Sequence, residues 1–135
     1  MKINAFIIIA LSLALGGCAH FPMFDCKTQD PSNPKVSVVS GKWLVVNQEP
    51  IVVPKGVRDF RITWELPRGT SYSFPKDGIV IDKGAEAFNC GVEKDAQRFT
   101  CTIRNFISTR YKYTIKVQDG DKPLPPLDPS IMPEA

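Results

Sequence analysis

Four cysteines, one histidine and a scatter of carboxylates are the residues of this 135-residue chain with the means to do chemistry. Acyl transfer by a Ser or Cys nucleophile needs an imidazole base within hydrogen-bonding reach. The single histidine, His20, sits close to the N-terminus and far in sequence from any candidate core, so no triad is assigned. A zinc site needs a cluster of Cys and His ligands, and a blue-copper site needs two His and a thiolate. The chain beyond His20 contains no His at all, so the expectation is no metal. Glycoside cleavage needs two carboxylates flanking one bond. Glu65, Asp77, Asp82, Glu86 and Glu93 are available, but Glu65 falls on the polar side of its strand and the others fall in or near turns. That is the placing of solvated surface carboxylates. No Gly-rich phosphate loop is present. No catalytic residue and no cofactor is therefore assigned, and the expected class is not an enzyme.

The cysteines are more informative. Lys2 supplies a short positive start, and residues 5–15, AFIIIALSLAL, form an apolar run. A membrane-spanning helix needs about 20 apolar residues, so this run fits the core of a secretory signal instead. It ends in Leu15-Gly16-Gly17-Cys18, which resembles the lipobox of bacterial lipoproteins. The resemblance implies cleavage before Cys18, diacylglycerol on its sulfur and acylation of the new amine. Small residues let a peptidase reach the backbone, and the thiol accepts the lipid. Several acyl chains on one residue exceed what stable anchoring requires. Ala19 resembles the outer-membrane sorting signal of enteric lipoproteins. The expected location is thus the outer membrane, facing the periplasm, with the inner membrane as the alternative.

Charge and composition narrow the partners. The formal charge is +3, and removal of the signal takes Lys2 with it, leaving a nearly neutral chain. Its basic residues form no runs, so no nucleic-acid footprint is present. Hydrophobic residues make up 43% of the chain, enough to build the core of one small domain.

The elements that must position these residues are strands. Phe60, Ile62, Trp64 and Leu66 alternate with polar residues, as do Phe99, Cys101 and Ile103, and Tyr111, Tyr113, Ile115 and Val117. A period of two with one apolar face marks half-buried strands. Further strands are predicted at 36–39, 42–47, 51–53, 71–74, 79–81 and 88–92, and Pro75-Lys76-Asp77-Gly78 is predicted as a type I turn. Four segments follow: a signal at 1–17, a lipidated tether at 18–34, a β domain at 35–118 and a Pro-rich extended tail at 119–135. Seven to nine short strands make the expected fold all-β, a two-sheet sandwich of immunoglobulin-like type.

A compartment beyond the inner membrane is oxidising, so a disulfide is expected. If Cys90 opposes Cys101, Val92 opposes Phe99 and Phe88 opposes Ile103, which places all six side chains on one buried face. A slip of one residue would invert a whole strand. Cys90–Cys101 is therefore preferred, with Cys26 left as a thiol on the tether.

Val52-Val53-Pro54-Lys55-Gly56 followed by Phe60-Arg61-Ile62-Thr63-Trp64 is similar to the early strands of cupredoxins. Phe99-Thr100-Cys101 and Tyr113–Val117 are similar to their closing ligand loop. The resemblance implies a sandwich topology. It does not carry copper over, because the His ligands are missing. Together with the lipobox, the chain resembles the small lipoproteins of Gram-negative bacteria. The expectation is a protein-interaction or structural module, bound to the membrane through Cys18 and to a protein partner. Trp43, Tyr72 and Phe74 are the candidate surface-binding aromatics. Trp43-Leu44-Val45-Val46 is apolar on both faces, so it reads either as a strand covered on both sides or as an exposed apolar strip. Two alternatives remain. A carbohydrate- or peptidoglycan-binding module needs solvent-exposed aromatics near polar side chains, with Trp43, Tyr72 and Phe74 the candidates, and a periplasmic enzyme inhibitor needs a protruding loop such as 93–97. The Leu124-Pro125-Pro126-Leu127 segment reads as cover for an edge strand, as a spacer, or as a preordered ligand.

Overall fold

The computed structural model describes residues 29–135. The expected signal at 1–17, and Cys18, His20 and Cys26, lie outside the described residues. Twelve strands run in chain order: β1 (Val36–Val39), β2 (Trp43–Val46), β3 (Ile51–Val53), β4 (Phe60–Glu65), β5 (Tyr72–Ser73), β6 (Ile79–Ile81), β7 (Phe88–Val92), β8 (Arg98–Ile103), β9 (Tyr111–Ile115), β10 (Gln118–Asp119), β11 (Lys122–Pro123) and β12 (Ser130–Pro133). Among the described residues one 3₁₀ turn is present, at Ala85–Ala87.

Two larger sheets, β4-β8-β7 and β3-β12-β9-β6, form the sandwich, with a β1-β2 hairpin and a small β11-β10-β5 sheet beside them. The fold is all-β, as the alternation predicts. The inward set is the predicted one. Ile62 and Trp64 of β4, Phe99, Cys101 and Ile103 of β8, and Tyr111, Tyr113 and Ile115 of β9 are all buried. Aromatic contacts tie the sheets together. Trp64 meets Tyr113 with ring centroids 5.3 Å apart, and Phe88 meets Tyr111 edge-on at 5.0 Å. The Trp64 indole N–H donates to the Tyr113 hydroxyl over 3.2 Å, so neither buried polar atom is left without a partner. The Tyr111 hydroxyl in turn accepts the backbone N–H groups of Ile107 and Ser108, which holds the loop before β9.

The domain boundaries differ from the expectation at both ends. The segment after residue 118 is not an extended tail. It forms β10, β11 and β12, and β12 lies inside its sheet, parallel to β3 and antiparallel to β9. Ile131 is fully buried there. Proline argues against a strand because it lacks an N–H, but its carbonyl is intact. Pro129 accepts from Tyr113 N–H, and Pro133 falls at the end of β12. Between the prolines, Leu127 and Ile115 exchange both backbone hydrogen bonds. Pro-Pro therefore spaces the chain without taking it off the sheet. At the other end, the described part of the expected tether is docked. Ser32 and Pro34 carbonyls accept from Thr63 and Glu65 N–H, and Lys35 pairs in parallel with Glu65.

Candidate functional site

The predicted register between β7 and β8 is the observed one: Phe88 faces Ile103, Cys90 faces Cys101 and Val92 faces Phe99. Cys90 and Cys101 are joined, with Cα atoms 4.0 Å apart. One part of the expectation is corrected. The six side chains do not share one buried face. Those of β8 are buried, whereas Phe88 and Val92 are half-buried and Cys90 is exposed. The reason is that β7 is the outer strand of its sheet, so nothing covers its far side.

That position leaves main-chain groups free. In an antiparallel pair, opposed residues alternate between hydrogen-bonded and non-bonded pairs. Arg104 N–H donates to Ala87 C=O, and Glu93 N–H donates to Arg98 C=O. By alternation Asn89 and Gly91 bond to β8, and Phe88, Cys90 and Val92 turn their backbone groups outward. Phe88 N–H is used by Ala85 C=O. The N–H and C=O groups of Cys90 and Val92 have no backbone partner among the described residues. Asn89 and Gly91, exposed on this strand, are small and uncharged.

Of the three candidate surface aromatics, one is largely exposed. Trp43 is 55% exposed. It stands on a hairpin whose outward positions are Val39, Trp43 and Val45 and whose inward positions are Val36 and Leu44. The strand is thus an exposed apolar strip, not a strand covered twice. Tyr72 is half-buried on β5, in a different sheet. Phe74 is corrected outright. It is 2% exposed and packs edge-on against Phe99, with centroids 5.9 Å apart. The cause is local. Gly78 N–H closes the predicted turn onto Pro75 C=O, and a Cβ at Gly78 would sit 2.9 Å from that of Phe74. Glycine leaves the space into which Phe74 folds. The three aromatics therefore make no common surface. Val39 is the residue sequence reasoning missed, while Val45 belongs to the strip at 43–46 that it singled out. The signal was present, because Val39 and Trp43 flank the three residues Ser40-Gly41-Lys42 at hairpin spacing.

The loop 93–97 does not protrude. Gln97 donates to the carbonyls of Pro67, Thr70 and Tyr72, and Phe74 N–H donates to Ala96 C=O over 2.6 Å. Arg98 pairs with Glu93 and Asp95, each at 3.0 Å.

The carboxylates are dispersed. Glu65 accepts from Lys35 and lies 3.4 Å from Arg68. The Lys35 hydrogen bond holds its carboxyl below the usual carboxylate range. Asp77 is likewise lowered, by the ammonium of Lys116 at 2.7 Å. Glu49 is used structurally, its two oxygens accepting the N–H and hydroxyl of fully buried Ser130, each at 2.8 Å. Asp82 and Glu86 share an open groove of about 470 Å³ with Lys83, Ser108, Arg110 and Lys112, in which the Ser108 hydroxyl donates to Arg110 C=O and accepts Arg110 N–H. Among the described residues no three His, Cys, Asp or Glu side chains come together as a metal site.

The sequence matches no protein-family model, and no curated protein is significantly similar to it.

Proposed function

We propose that the protein is a lipoprotein of the bacterial cell envelope, anchored through lipid on Cys18, whose β-sandwich is a non-catalytic module that binds a protein partner. The observation that carries this reading is the unpaired edge of β7. An exposed edge is a template for strand addition, in which main-chain hydrogen bonds supply affinity and neighbouring side chains supply selectivity. Natural edges are commonly blunted by Lys, Pro or inward charge. Phe88-Asn89-Cys90-Gly91-Val92 carries none of these. The disulfide fixes the edge strand to β8, so the docking surface is held in shape before a partner arrives, which lowers the ordering cost of binding. The lipobox supports the location: Leu15-Gly16-Gly17-Cys18 fits lipid attachment, and Ala19 resembles the outer-membrane sorting residue, which favours the outer membrane over the inner one.

In-cell crosslinking of the tagged full chain, followed by mass spectrometry of what is captured, tests the reading. Two variants accompany it. Cys18→Ala removes the anchor, and Val92→Pro removes one outward N–H of β7 while leaving every bond to β8. A protein captured by the natural chain and lost in both variants supports an anchored strand-addition module. Capture unaffected by Val92→Pro refutes the edge as the site. Capture of peptidoglycan fragments alone refutes a protein partner.

A further inference from the structure

The hairpin strip lies on neither the β7 edge nor any groove used above, and its surroundings identify what it meets. We infer that the tip of the β1-β2 hairpin is a membrane-contact element, seated in the headgroup region of the bilayer that holds the lipid anchor. The inference rests on the anchored-lipoprotein reading and adds an orientation to it.

The first argument is reach. Ten residues separate Cys18 from Gln29. Fully extended, that chain spans at most about 40 Å. Its described end is fixed: Gln29 Nε2 donates to Asn47 C=O over 3.0 Å, and Gln48 Nε2 donates to Asp30 C=O over 2.6 Å. Asn47 directly follows β2, so the tether meets the domain at one end of this strand and Trp43 stands at the other. Four residues of strand cover about 13 Å. A lipid on Cys18 therefore keeps Trp43 within a few nanometres of the bilayer at all times. At that effective concentration a weak contact becomes populated.

The second argument is chemistry. The turn Ser40-Gly41-Lys42 presents Trp43 and Val39 side by side, with Val45 next along the same face and all three about half exposed. The Lys42 ammonium lies 4.8 Å from the Trp43 ring centroid. Tryptophan belongs at the headgroup level of a membrane, where its ring is apolar and its N–H finds water or phosphate. Lysine beside it keeps its stem on apolar surface and its charge toward anionic lipid. No acidic residue occurs between Val36 and Val46, so nothing on the hairpin is repelled by such a surface. The nearest following acid, Glu49, is turned to Ser130. The β7 edge belongs to another part of the fold: Lys35, just before the hairpin, pairs with β4, and β7 is the strand at the opposite side of that sheet. A bilayer-seated hairpin thus leaves β7 open to the aqueous side.

The two tryptophans make the test direct. Trp64 is fully buried and Trp43 is half exposed, so Trp43 dominates the response to aqueous acrylamide. The full chain, purified from membranes, is reconstituted into vesicles of phosphatidylethanolamine and phosphatidylglycerol. The acyl mass on the Cys18 peptide is measured on the same sample. The expected result is a blue-shifted emission, several-fold weaker quenching by acrylamide than for the Cys18→Ala protein in buffer, and quenching by bromine-labelled acyl chains. In Trp43→Ala only buried Trp64 emits, so emission and both kinds of quenching are the same with and without vesicles. An acylated, vesicle-bound protein whose Trp43 stays as open to acrylamide as in buffer overturns the membrane contact and leaves the anchor reading standing. A Cys18 peptide without acyl mass overturns both. Protection seen only in native envelopes, and not in protein-free vesicles, reassigns the strip to a protein and overturns the inference.

Discussion

Trp64 and Tyr113 form a polar pair inside an otherwise apolar core, and the energetics of that pair can be worked from its geometry. Both side chains are fully buried, and the indole N–H donates to the phenol oxygen over 3.2 Å. A formed hydrogen bond of this kind contributes about 1 kcal/mol net, whereas a buried group deprived of its partner costs about 1–3 kcal/mol. Tyr113→Phe removes little volume but leaves the indole N–H without an acceptor. Trp64→Phe opens a cavity and leaves the phenol hydroxyl without its donor. The double variant keeps the cavity but strands neither group. The sum of the single losses should therefore exceed the double loss by about 1–3 kcal/mol. Urea unfolding followed by far-ultraviolet circular dichroism measures all four proteins, since Trp64 fluorescence is itself altered by the substitution. Equal slopes against urea would confirm that the unfolded states are comparable. Losses that add to within about 0.5 kcal/mol would refute the reasoning, because the two polar atoms would then not depend on each other.

The same phenol gives an alkaline prediction. Burial pushes the Tyr113 hydroxyl well above its ordinary range, reinforced by the nearby Glu49 charge and partly offset by the Trp64 hydrogen bond. The unfolded chain releases this proton near pH ~10. Stability from this group is thus intact below that pH and falls above it by up to about 1.4 kcal/mol per pH unit, a steepening that Tyr113→Phe should remove when unfolding is compared across alkaline buffers. The Cys90–Cys101 disulfide closes a loop of about 12 residues, so the variant carrying Cys90→Ser and Cys101→Ala should lose about 3 kcal/mol and melt roughly 10 °C lower or more in thermal scans without reductant. Ile131→Ala should cost about 2–5 kcal/mol in the same scans, a loss that a loosely attached tail would not show.

Alternation made most of the strands legible. Tyr111 to Val117 and Phe60 to Leu66 admit one strand register each, because shifting either by a residue would bury charge and expose aromatics. The β7–β8 pairing was legible for a further reason. Two cysteines eleven apart fix which residues face each other, and the flanking Phe88–Ile103 and Val92–Phe99 pairs agree. The C-terminal strands were hidden by composition. Proline at 123, 125, 126, 129 and 133 reads as extended chain outside a fold, because the residue removes a donor and forbids helix. An all-β core needs carbonyls as much as N–H groups, and it accepts prolines wherever the ladder asks only for an acceptor. Pro129 supplies one. The parallel pairing of β12 with β3, across some eighty residues, has no local signature at all.

The candidate surface shows where parity stops being informative. Period two says which residues share a face. It does not say which face is covered, and that depends on whether another element arrives. Trp43 and Val45 share one face of β2, and Leu44 and Val46 share the other. Both faces are apolar, so the sequence allows either to point inward. The outcome is decided by Val36 and Val38 across the hairpin, which join Leu44 and Val46 against the core. Once that side is filled, Trp43 must face out. Tyr72 and Phe74 show the converse. They have the same parity, yet Phe74 is buried and Tyr72 only half so, because Gly78 bends the chain back and opens a slot against Phe99 for the second of them alone. A turn residue four positions away, not the hydrophobic pattern, sets that side chain's fate. A Cβ at 78 would press on both Phe74 and Phe99, so the burial of Phe74 depends on the smallest side chain in the segment.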